Sequence, residues 1–482
     1  MIQTKTVVNN MFWKFLERCG SQGISIIVSI VLARLLDPSV FGIMSIIYVF
    51  TSIMNVFIDS GMGVALIQKK DADDTDFSSV FYFNVLFSVA LYFLMFVSAP
   101  YIARFYDMPE LKPVLRVVCL QLVFSGLRDV QQAYVSKNLI FKQFFYATIG
   151  GTLTSGILGI TMAFSGFGVW ALAVQTVSNV AVSTLILWVI VRWRPKLIFS
   201  WTRLKQLLSY GWKLLTSSLI NIVYENLRVI IIGKMYNPKD LAFYNQGAQL
   251  PYGIVNNINT TIDSVFLPTL SAEQDDKERM KQMMRRAIRV STFIISPLML
   301  GLAAVANTFV SFLLTDKWLP CVPYLQIFCV SFLFYPINTS NLNAIKALGR
   351  SDIILKLEII KKTIGIVSII ITMWISPFAM ACGMVICSLI NQIINAWPNK
   401  RLLDYSYSEQ LRDIVPNLTL ALVMALAVFA VGKCFTGIPV FLSLVVQVLL
   451  GSGLYILLSI ITHNSSFNYV MDIARSYINR KH

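Results

Sequence analysis

Long apolar stretches follow one another along this chain, and most have the length of a membrane-crossing helix. A helix rises 1.5 Å per residue, so about 20 mostly apolar residues cross the roughly 30 Å of hydrocarbon in a bilayer. We count about fourteen such segments. They lie near residues 11–33, 39–63, 78–99, 113–133, 144–165, 168–191, 208–233, 243–268, 288–314, 322–345, 356–376, 378–397, 413–432 and 438–461. The pattern predicts an all-α integral membrane protein with about 14 transmembrane helices.

The early part of the chain repeats itself about two hundred residues later. Residues 13–16 read Trp-Lys-Phe-Leu, and residues 212–215 read Trp-Lys-Leu-Leu. Further along, three positions of each copy keep the same spacing: Leu115, Cys119 and Phe124, and then Leu325, Cys329 and Phe334. Self-similarity at a fixed distance indicates duplication of a structural unit.

The repeat predicts three regions. Residues 1–200 form an N-lobe with spans 1–6, and residues 201–400 form a C-lobe with spans 7–12. Because six is even, both lobes enter the membrane in the same orientation and a pseudo-two-fold relates them. Residues 401–482 hold spans 13 and 14 and a C-terminal tail. The basic and aromatic connector 193–207 is either an amphipathic interfacial helix or a solvated linker.

Charge is placed unevenly along the chain. The formal net charge is +16, with 40 Lys and Arg against 24 Asp and Glu. Assigning loops alternately puts roughly thirty of the 40 basic residues on the side that holds both termini. Short basic loops stay in the cytoplasm, so both termini are predicted to be cytoplasmic. Basic loops attract anionic membrane lipids, and no nucleic-acid partner is needed to explain the charge.

The sequence lacks the motifs of metal-binding, nucleotide-binding and enzymatic sites. There is no Cys-x-x-Cys pair and no G-x-x-x-x-G-K-[ST] phosphate loop, and the two histidines, His463 and His482, have no plausible second ligand. No loop is long enough to hold a soluble catalytic domain. We therefore expect no metal, no cofactor and no enzymatic activity.

Polar residues form stripes on three of the predicted helices. In span 7, Asn221, Glu225 and Arg228 recur with Ser217 and Ser218 at intervals of three and four residues, so they share one helical face. The repeat places Arg18, Ser21 and Ser25 on the same face of span 1, and span 8 carries Gln249, Tyr252 and Asn256. Lipid does not satisfy such groups, so these faces must meet protein or a water-filled cavity. They are our candidate substrate-binding residues.

Each candidate also has a plainer interpretation. Glu225 and Arg228 can form a structural ion pair with each other, and Arg18 can extend to the interface. Asp59 and Asp263, at the ends of spans 2 and 8, are candidates with Glu225 for binding a coupling ion, although capping or solvation explains them equally well. Polar residues at the ends of spans 4 and 10 either line an inner vestibule or simply lie at the membrane–water interface. They are Arg128, Asp129, Gln131, Gln132, Asn338, Thr339, Asn341 and Asn343.

Several local motifs resemble those of a known transporter group. They are Leu-Ala-Arg-Leu-Leu-Asp at 32–37, Asp-Ser-Gly at 59–61, Ile-Gln-Lys-Lys at 67–70 and Asp-Lys-Trp at 316–318. In order and over nearly the whole chain, they resemble the Wzx-type polysaccharide exporters. The nearest branch is that of the colanic-acid and teichuronic-acid exporters, in the multidrug/oligosaccharidyl-lipid/polysaccharide (MOP) flippase superfamily.

The resemblance implies a fold and a substrate. The fold would be a two-lobe, twelve-helix core of the kind found in multidrug and toxin extrusion (MATE) transporters, with two extra helices. The substrate would be a polyprenyl-pyrophosphate-linked oligosaccharide, moved by alternating access to the outer leaflet of the bacterial cytoplasmic membrane for lipopolysaccharide or exopolysaccharide biosynthesis. A polysaccharide polymerase and its chain-length machinery are candidate partners. A MATE-like, cation-coupled drug antiporter and a membrane glycosyltransferase stay open as alternatives.

The residues suggest a division of labour in such a site. Arginine binds phosphate oxygens in a bidentate manner, so we expect Arg18 and Arg228 to hold the pyrophosphate. Amide, hydroxyl and carboxylate groups suit sugar hydroxyls, so we expect Asn221, Glu225 and Asn256 and their polar neighbours to contact the sugar.

Overall fold

A computed structural model describes residues 4–59, 61–434 and 437–479 of the chain. Ser60, which belongs to one of the motifs above, and His482 lie outside these ranges. Within them the secondary structure is helical and includes no β-strand. The all-α class predicted from the hydropathy pattern is therefore confirmed.

The chain divides into two compact units, Met1–Ala242 and Phe243–His482. Among the described residues, nine helices lie wholly in unit 1: α1 (Thr4–Leu35), α2 (Pro38–Asp59), α3 (Met62–Gln68), α4 (Asp74–Phe105), α5 (Leu111–Val118), α6 (Leu120–Lys137), α7 (Lys142–Phe164), α8 (Val169–Ile190) and α9 (Trp201–Met235).

Unit 2 contains most of α10 and the helices that follow it. They are α10 (Pro238–Ala272), α11 (Lys277–Leu314), a 3-10 helix (Asp316–Cys321), α12 (Val322–Leu333), α13 (Tyr335–Ala347), α14 (Ser351–Thr372), α15 (Pro377–Leu402), α16 (Tyr407–Cys434), α17 (Val440–Ile461) and α18 (Ser465–Asn479).

Eleven helical segments of the described residues are long and apolar enough to cross a membrane. Three of the fourteen predicted spans are absent from that set: 113–133, 243–268 and 356–376. Each is helical, in α5 and α6, in α10 and in α14, but none contains a helical stretch of 18 residues that is both apolar enough and low enough in charge to cross a membrane. The exact number of fourteen transmembrane helices stays a prediction.

The lobe boundaries predicted from the repeat stay predictions as well. The repeat starts the second lobe at residue 201, whereas α9 packs against α2, α3 and α4 of unit 1. Leu204 and Leu207 of α9 belong to the same hydrophobic core as Met62 and Leu66 of α3. The start of α9 is thus fixed to unit 1 by apolar packing.

The connector contains two kinds of backbone. Residues 191–200 are not helical, and α9 then begins at Trp201 and continues unbroken to Met235. The second half of the connector and span 7 are therefore one helix.

Small residues allow α7 and α8 to approach closely. Gly151, Ser155 and Gly159 recur every four residues on α7, and a Cβ added at Gly151 would lie 2.9 Å from the carbonyl oxygen of Asn179 on α8. Asn179 Nδ2 donates a hydrogen bond of 3.1 Å to Ser155 Oγ. Small-xxx-small faces joined by polar side chains are typical of helix pairs that associate inside a membrane.

Gly61 makes the turn between α2 and α3 possible. Its φ of 71° lies in the left-handed region, which side chains disfavour. A Cβ at this position would also lie 3.1 Å from Gly211 Cα of α9. The turn and the approach of α9 therefore both depend on glycine at position 61.

Candidate functional site

The polar stripe of α9 lies on the face that packs onto unit 1. Leu207, Gly211, Ser218, Glu225 and Ile232 are four or seven residues apart, close to one or two turns, so they share a face. Leu207, Gly211 and Ile232 are buried at the two ends, whereas Ser218 and Glu225 are exposed in the middle. The middle of α9 therefore borders open space on the protein-facing side of the helix.

The other members of the stripe differ in exposure. Ser217 and Asn221 are exposed, but the Arg228 side chain is only 9% exposed and its Nε has no hydrogen-bond partner. Among the described residues, no hydrogen bond or ion pair joins Glu225 to Arg228. The structural ion pair that the sequence left open is thus not formed. Arg228 is a buried guanidinium with unused donor capacity.

The candidates of α1 lie on a helix that packs mainly against α7. Arg18 and Ser25 are exposed, while Ser21 is half-buried and donates a hydrogen bond of 2.7 Å to the Glu17 carbonyl oxygen. The Glu17 carboxylate accepts hydrogen bonds from Lys14 at 2.6 Å and from Thr148 of α7 at 3.1 Å. Glu17 is thus used for packing, and Arg18 and Ser25 remain exposed.

The candidates of α10 fall into two groups. Gln249 and Tyr252 are exposed and Asn256 is half-buried, and the Tyr252 ring lies 5.7 Å from that of Phe332. Further along α10, Asp263 accepts a hydrogen bond from Asn343 of α13. The first three are open to a ligand, whereas the Asp263 carboxylate is engaged by a neighbouring helix.

Asp59 belongs to a cluster of charged residues in unit 1. It is exposed at the end of α2 and interacts electrostatically with Arg128 of α6. Arg128 also interacts with Asp129, and its NH1 donates a hydrogen bond of 3.3 Å to Ser183 Oγ of α8. Asp129 in turn accepts a hydrogen bond of 2.8 Å from Asn84 of α4. We call Asp59, Arg128 and Asp129 the charged cluster.

The chain approaches this cluster closely at a second glycine of the α2–α3 region. A Cβ at Gly63 would lie 3.4 Å from Asp129 Oδ1. The charged cluster therefore connects the turn region of α2 and α3 with α4, α6 and α8. The sequence predicts that Arg128 and Asp129 either line a vestibule or meet the membrane interface, and it does not predict this cluster. Their two-residue Arg-Asp run near the end of an apolar span was the available signal.

Unit 2 has a neutral network on α13, beside the positions that the repeat pairs with Arg128 and Asp129. Asn341 of α13 exchanges side-chain hydrogen bonds with Gln410 of α16, at 2.9 Å and 3.0 Å, and accepts one of 2.7 Å from Asn399 of α15. All three residues are buried. We call Asn341, Asn399 and Gln410 the amide network. Asn399 and Gln410 were not singled out from the sequence because their spacing matches no motif.

Charged contacts hold the loop before α4 to the connector. Arg203 NH1 donates to the Asp73 carboxylate at 2.6 Å, and Lys196 pairs with Asp74 at the same distance. The hydrogen bond from Arg203 holds the pKa of Asp73 below its ordinary value. Asp73 also caps α4 by accepting from the backbone amides of Thr75 and Asp76.

The chemistry available in these sites is binding and protonation. No group of three or more His, Cys, Asp or Glu side chains in the described part of the chain is arranged to hold a metal ion. The arginines offer donors for phosphate, the amides and hydroxyls suit sugar hydroxyls, and the carboxylates can take up a proton or a monovalent cation.

Comparison with known proteins places this geometry in a family. The model of the family described as "Polysaccharide biosynthesis protein" matches residues 31–323, more than half of the chain. The chain is 26% identical to lipopolysaccharide biosynthesis protein WzxC of Escherichia coli, over 86% of this chain and 85% of that protein. It is 24% identical to teichuronic acid biosynthesis protein TuaB of Bacillus subtilis, over 79% and 80%. It is 23% identical to succinoglycan biosynthesis transport protein ExoT of Rhizobium meliloti, over 98% and 97%.

Solved structures show the same fold. The lipid II flippase MurJ in an inward closed conformation superposes with a TM-score of 0.72 at 16% identity, over 95% of this chain and 99% of that chain. An inward-facing MATE multidrug transporter of the MOP superfamily gives a TM-score of 0.60 at 13% identity, over 79% and 94%. The resemblance drawn from local motifs is thus confirmed at the level of family and fold.

Proposed function

The chain belongs to the polysaccharide biosynthesis protein family, and from that membership we propose that it is a transporter of lipid-linked oligosaccharides. The substrate would be a polyprenyl-pyrophosphate carrying an oligosaccharide repeat unit, moved across the bacterial cytoplasmic membrane for surface polysaccharide synthesis. The names of the relatives support this assignment, since they refer to lipopolysaccharide, teichuronic acid and succinoglycan biosynthesis. The chain would not itself be an enzyme.

The orientation that we propose follows from the charge pattern. Both termini and most of the Lys and Arg residues would face the cytoplasm. The headgroup would enter from that side and leave at the other, with access to its site alternating between the two faces of the membrane. A polysaccharide polymerase with its chain-length machinery would receive the product.

The observation that carries the proposal is the open middle of α9. Glu225 lies well inside the 25-residue candidate span Gly211–Met235 and is exposed on a protein-facing side. A charge at the centre of a bare membrane helix costs about 2.5–3.5 kcal/mol even on the most permissive scales. A water-filled path removes that cost, and a sugar headgroup needs such a path because hydrocarbon excludes it.

We assign the phosphate and sugar contacts accordingly. Arg228, whose Nε is buried without a partner, would bind the pyrophosphate together with the exposed Arg18. Asn221 and Glu225 of α9 would contact sugar hydroxyls. Further polar contacts would come from the remaining exposed or half-buried candidates, Ser21, Ser25, Gln249, Tyr252 and Asn256.

Among the three acidic candidates for ion coupling, we favour Asp59. Asp263 is occupied by Asn343, and Glu225 is assigned to the substrate. Asp59 is exposed and lies in the charged cluster, where Arg128 and Asp129 respond to its charge. Protonation or cation binding at Asp59 would change the electrostatic balance of three helices of unit 1.

Transport by the purified chain in vesicles tests the assignment. A radiolabelled polyprenyl-pyrophosphate oligosaccharide is placed in the inner leaflet, and its arrival outside is followed with an enzyme that modifies only exposed sugar. Arg228→Ala should slow transport at least about tenfold, because a charge-assisted phosphate contact is lost, and Arg228→Lys should restore part of it. Lys205→Ala, an exposed basic residue of the same helix, serves as the control. Arg228→Ala at the wild-type rate would remove Arg228 from the mechanism.

The same vesicles distinguish the alternative function. A MATE-like antiporter would move organic cations in exchange for protons or Na⁺ and leave the lipid-linked sugar in place. Cation exchange without movement of the sugar lipid would overturn the proposed function.

A further inference from the structure

An apolar cleft of about 790 Å³ lies between α10, α11 and α18 of unit 2. Its walls include Ile258, Ile262, Val265 and Phe266 of α10 and Val290 and Ile294 of α11. Val265 is 65% exposed and Ile294 is 38% exposed. The cleft is thus an open, apolar groove on a protein of the membrane, and hydrocarbon is the natural content of such a groove.

One end of the cleft continues into a polar pocket of about 320 Å³. Arg286, Val290 and Tyr469 line both spaces. The polar pocket also contains Arg285 and Arg289. Three guanidinium groups within little more than one turn of α11 therefore gather at the end of an apolar groove.

This pocket has an excess of positive charge. Arg285 Nε lies 2.8 Å from Asp413 Oδ2, and Arg289 Nε lies 3.0 Å from Asp413 Oδ1. Asp413 also accepts a hydrogen bond of 2.8 Å from the Tyr405 hydroxyl. One carboxylate thus serves two arginines, which remain 38% and 37% exposed. Arg286 has no ion pair among the described residues, so two positive charges remain uncompensated.

Helix α18 forms one wall of the pocket, and the start of this helix is held in place. The guanidinium of Arg286 lies 4.9 Å from the centre of the Tyr469 ring of α18. Asn464, just before α18, donates a hydrogen bond of 2.9 Å to Asn417 of α16 and caps α18 by accepting from Ser466 N at 2.8 Å. The start of α18 is therefore anchored over α11, and the pocket is a built feature of unit 2.

The polarity of the site follows the polarity of a membrane lipid. Arg286 belongs to the basic start of α11, and Ile294 lies eight residues further in its apolar part. At 1.5 Å per residue, the guanidinium and the apolar walls are separated by roughly 12 Å along the helix. A phospholipid has its phosphate and its acyl chains in the same order along the membrane normal.

We propose that this composite site binds an anionic membrane phospholipid that is not transported. Its phosphate would bind Arg286 and the free donors of Arg285 and Arg289, and one acyl chain would lie in the cleft against α10 and α11. The bound lipid would link α18 to α10 and α11. The site includes none of the side chains assigned above to the substrate.

Lipid binding to the purified full chain in detergent tests this proposal without any measurement of transport. Native mass spectrometry would compare phosphatidylglycerol, phosphatidylcholine and polyprenyl phosphate, and thermal shift would add inorganic phosphate. We expect phosphatidylglycerol to bind at least about tenfold more tightly than phosphatidylcholine. The Arg286→Ala substitution should weaken the binding of phosphatidylglycerol by about tenfold. Arg279→Ala, an exposed arginine of the same helix outside the pocket, should bind like the wild type.

A second variant keeps the test independent of the charge. Val290→Trp fills the cleft where it meets the polar pocket and leaves all three arginines in place, so it should also lose phosphatidylglycerol. Equal binding of the two phospholipids, or wild-type binding by both Arg286→Ala and Val290→Trp, would overturn the proposal. Stabilisation by inorganic phosphate alone would identify a free-anion site instead. Displacement of phosphatidylglycerol by equimolar polyprenyl phosphate would assign the site to the substrate lipid.

Discussion

Helix α6 in unit 1 and helix α13 in unit 2 contain equivalent positions of the repeat that differ in charge. The match of Leu115 with Leu325 sets an offset of 210 residues, which pairs Arg128 with Asn338 and Asp129 with Thr339. The two charged residues of unit 1 thus correspond to an amide and a hydroxyl in unit 2.

The contacts at these positions join neighbouring helices in both units. Arg128 donates to Ser183 of α8, and Asn338 accepts from Asn395 of α15, the counterpart of α8, at 3.2 Å. Asp129 accepts from Asn84 of α4, whereas Thr339 accepts at 2.9 Å from Asn259 of α10, which is the counterpart of α2. Duplication has kept the positions that join neighbouring helices and changed the chemistry.

The difference separates two kinds of polar site inside a helical bundle. The amide network cannot gain or lose a proton near neutral pH, so its hydrogen bonds fix α13, α15 and α16 permanently. The charged cluster contains two carboxylates beside one guanidinium, and its balance changes when either carboxylate is protonated or binds a cation. We therefore assign electrostatics that change with protonation to the charged cluster around α6, and permanent neutral hydrogen bonds to the amide network around α13.

Breaking the charged cluster should cause the largest loss of folding stability. Arg128→Ala removes the guanidinium beside Asp59 and Asp129 and leaves the half-buried Asp129 carboxylate without that cation. This should cost more than an unsatisfied neutral group, which costs about 1–3 kcal/mol, because the group left behind is charged. Thermal unfolding of the purified protein in detergent should show this loss. The repeat-equivalent Asn338→Ala, which removes a single neutral hydrogen bond, should cost only about 1 kcal/mol.

A further variant sharpens that prediction. Adding Asp129→Asn to Arg128→Ala should recover part of the stability, because a carboxylate without its cation is removed. Equal losses for Arg128→Ala and Asn338→Ala, with no recovery in the double variant, would contradict the distinction between the two units.

Breaking the amide network should have an intermediate effect. Asn341→Ala leaves buried amide groups of Asn399 and Gln410 without partners, at a cost of about 1–3 kcal/mol. Because no member of the network titrates, the loss should be the same at pH 6 and pH 8. Thermal unfolding at both pH values checks this, and a loss that changes with pH would show that an ionisable group takes part.

The surface contact of the connector should have the smallest effect. The pKa of Asp73 is lowered by Arg203, so the contact contributes above the ordinary aspartate pKa of 3.8 and is lost as the pH falls further. Exposed pairs contribute under about 1 kcal/mol, so Asp73→Asn should barely change the unfolding temperature. It should instead speed hydrogen exchange at the start of α9, since Arg203 loses its nearest carboxylate while the new asparagine can still cap α4.

A pair in unit 2 provides the control for that experiment. Asp352, whose pKa is lowered to about 2 chiefly by the hydrogen bond from Arg350, pairs locally with that residue two positions away. Asp352→Asn should therefore leave exchange at α9 unchanged. Equal exchange in the wild type and in Asp73→Asn would show that the ion pair does not hold the connector.

Features with a local signal were predictable from the sequence. Hydropathy over about 20 residues located the helices, and intervals of three and four residues placed Asn221 and Glu225 on one face of α9. The sequence could not show that this face is protein-facing at both ends and open in the middle. That property depends on Gly61, Leu66 and other residues more than a hundred positions away.

Features that depend on long-range pairing were not predictable. The partner of Asp129 is Asn84, and the partner of Asp263 is Asn343, 80 residues away along the chain. Spacing allowed Glu225 and Arg228 to pair, but the packing of α9 buries Arg228 and leaves Glu225 exposed. Each of these contacts depends on how the helices pack, and the spacing of residues in a single sequence does not reveal that packing.

The central claim is that the middle of α9 borders a water-filled path. Two cysteine variants test it directly, after the exposed native residues Cys19 and Cys434 are changed to serine. Ser218→Cys lies on the open face, and Ile220→Cys lies about 200° around the helix at a side chain that is 56% exposed. Labelling of intact membranes with a charged, water-soluble maleimide should modify Ser218→Cys rapidly and Ile220→Cys hardly at all. Equal labelling at both positions, or none at Ser218→Cys, would contradict the account.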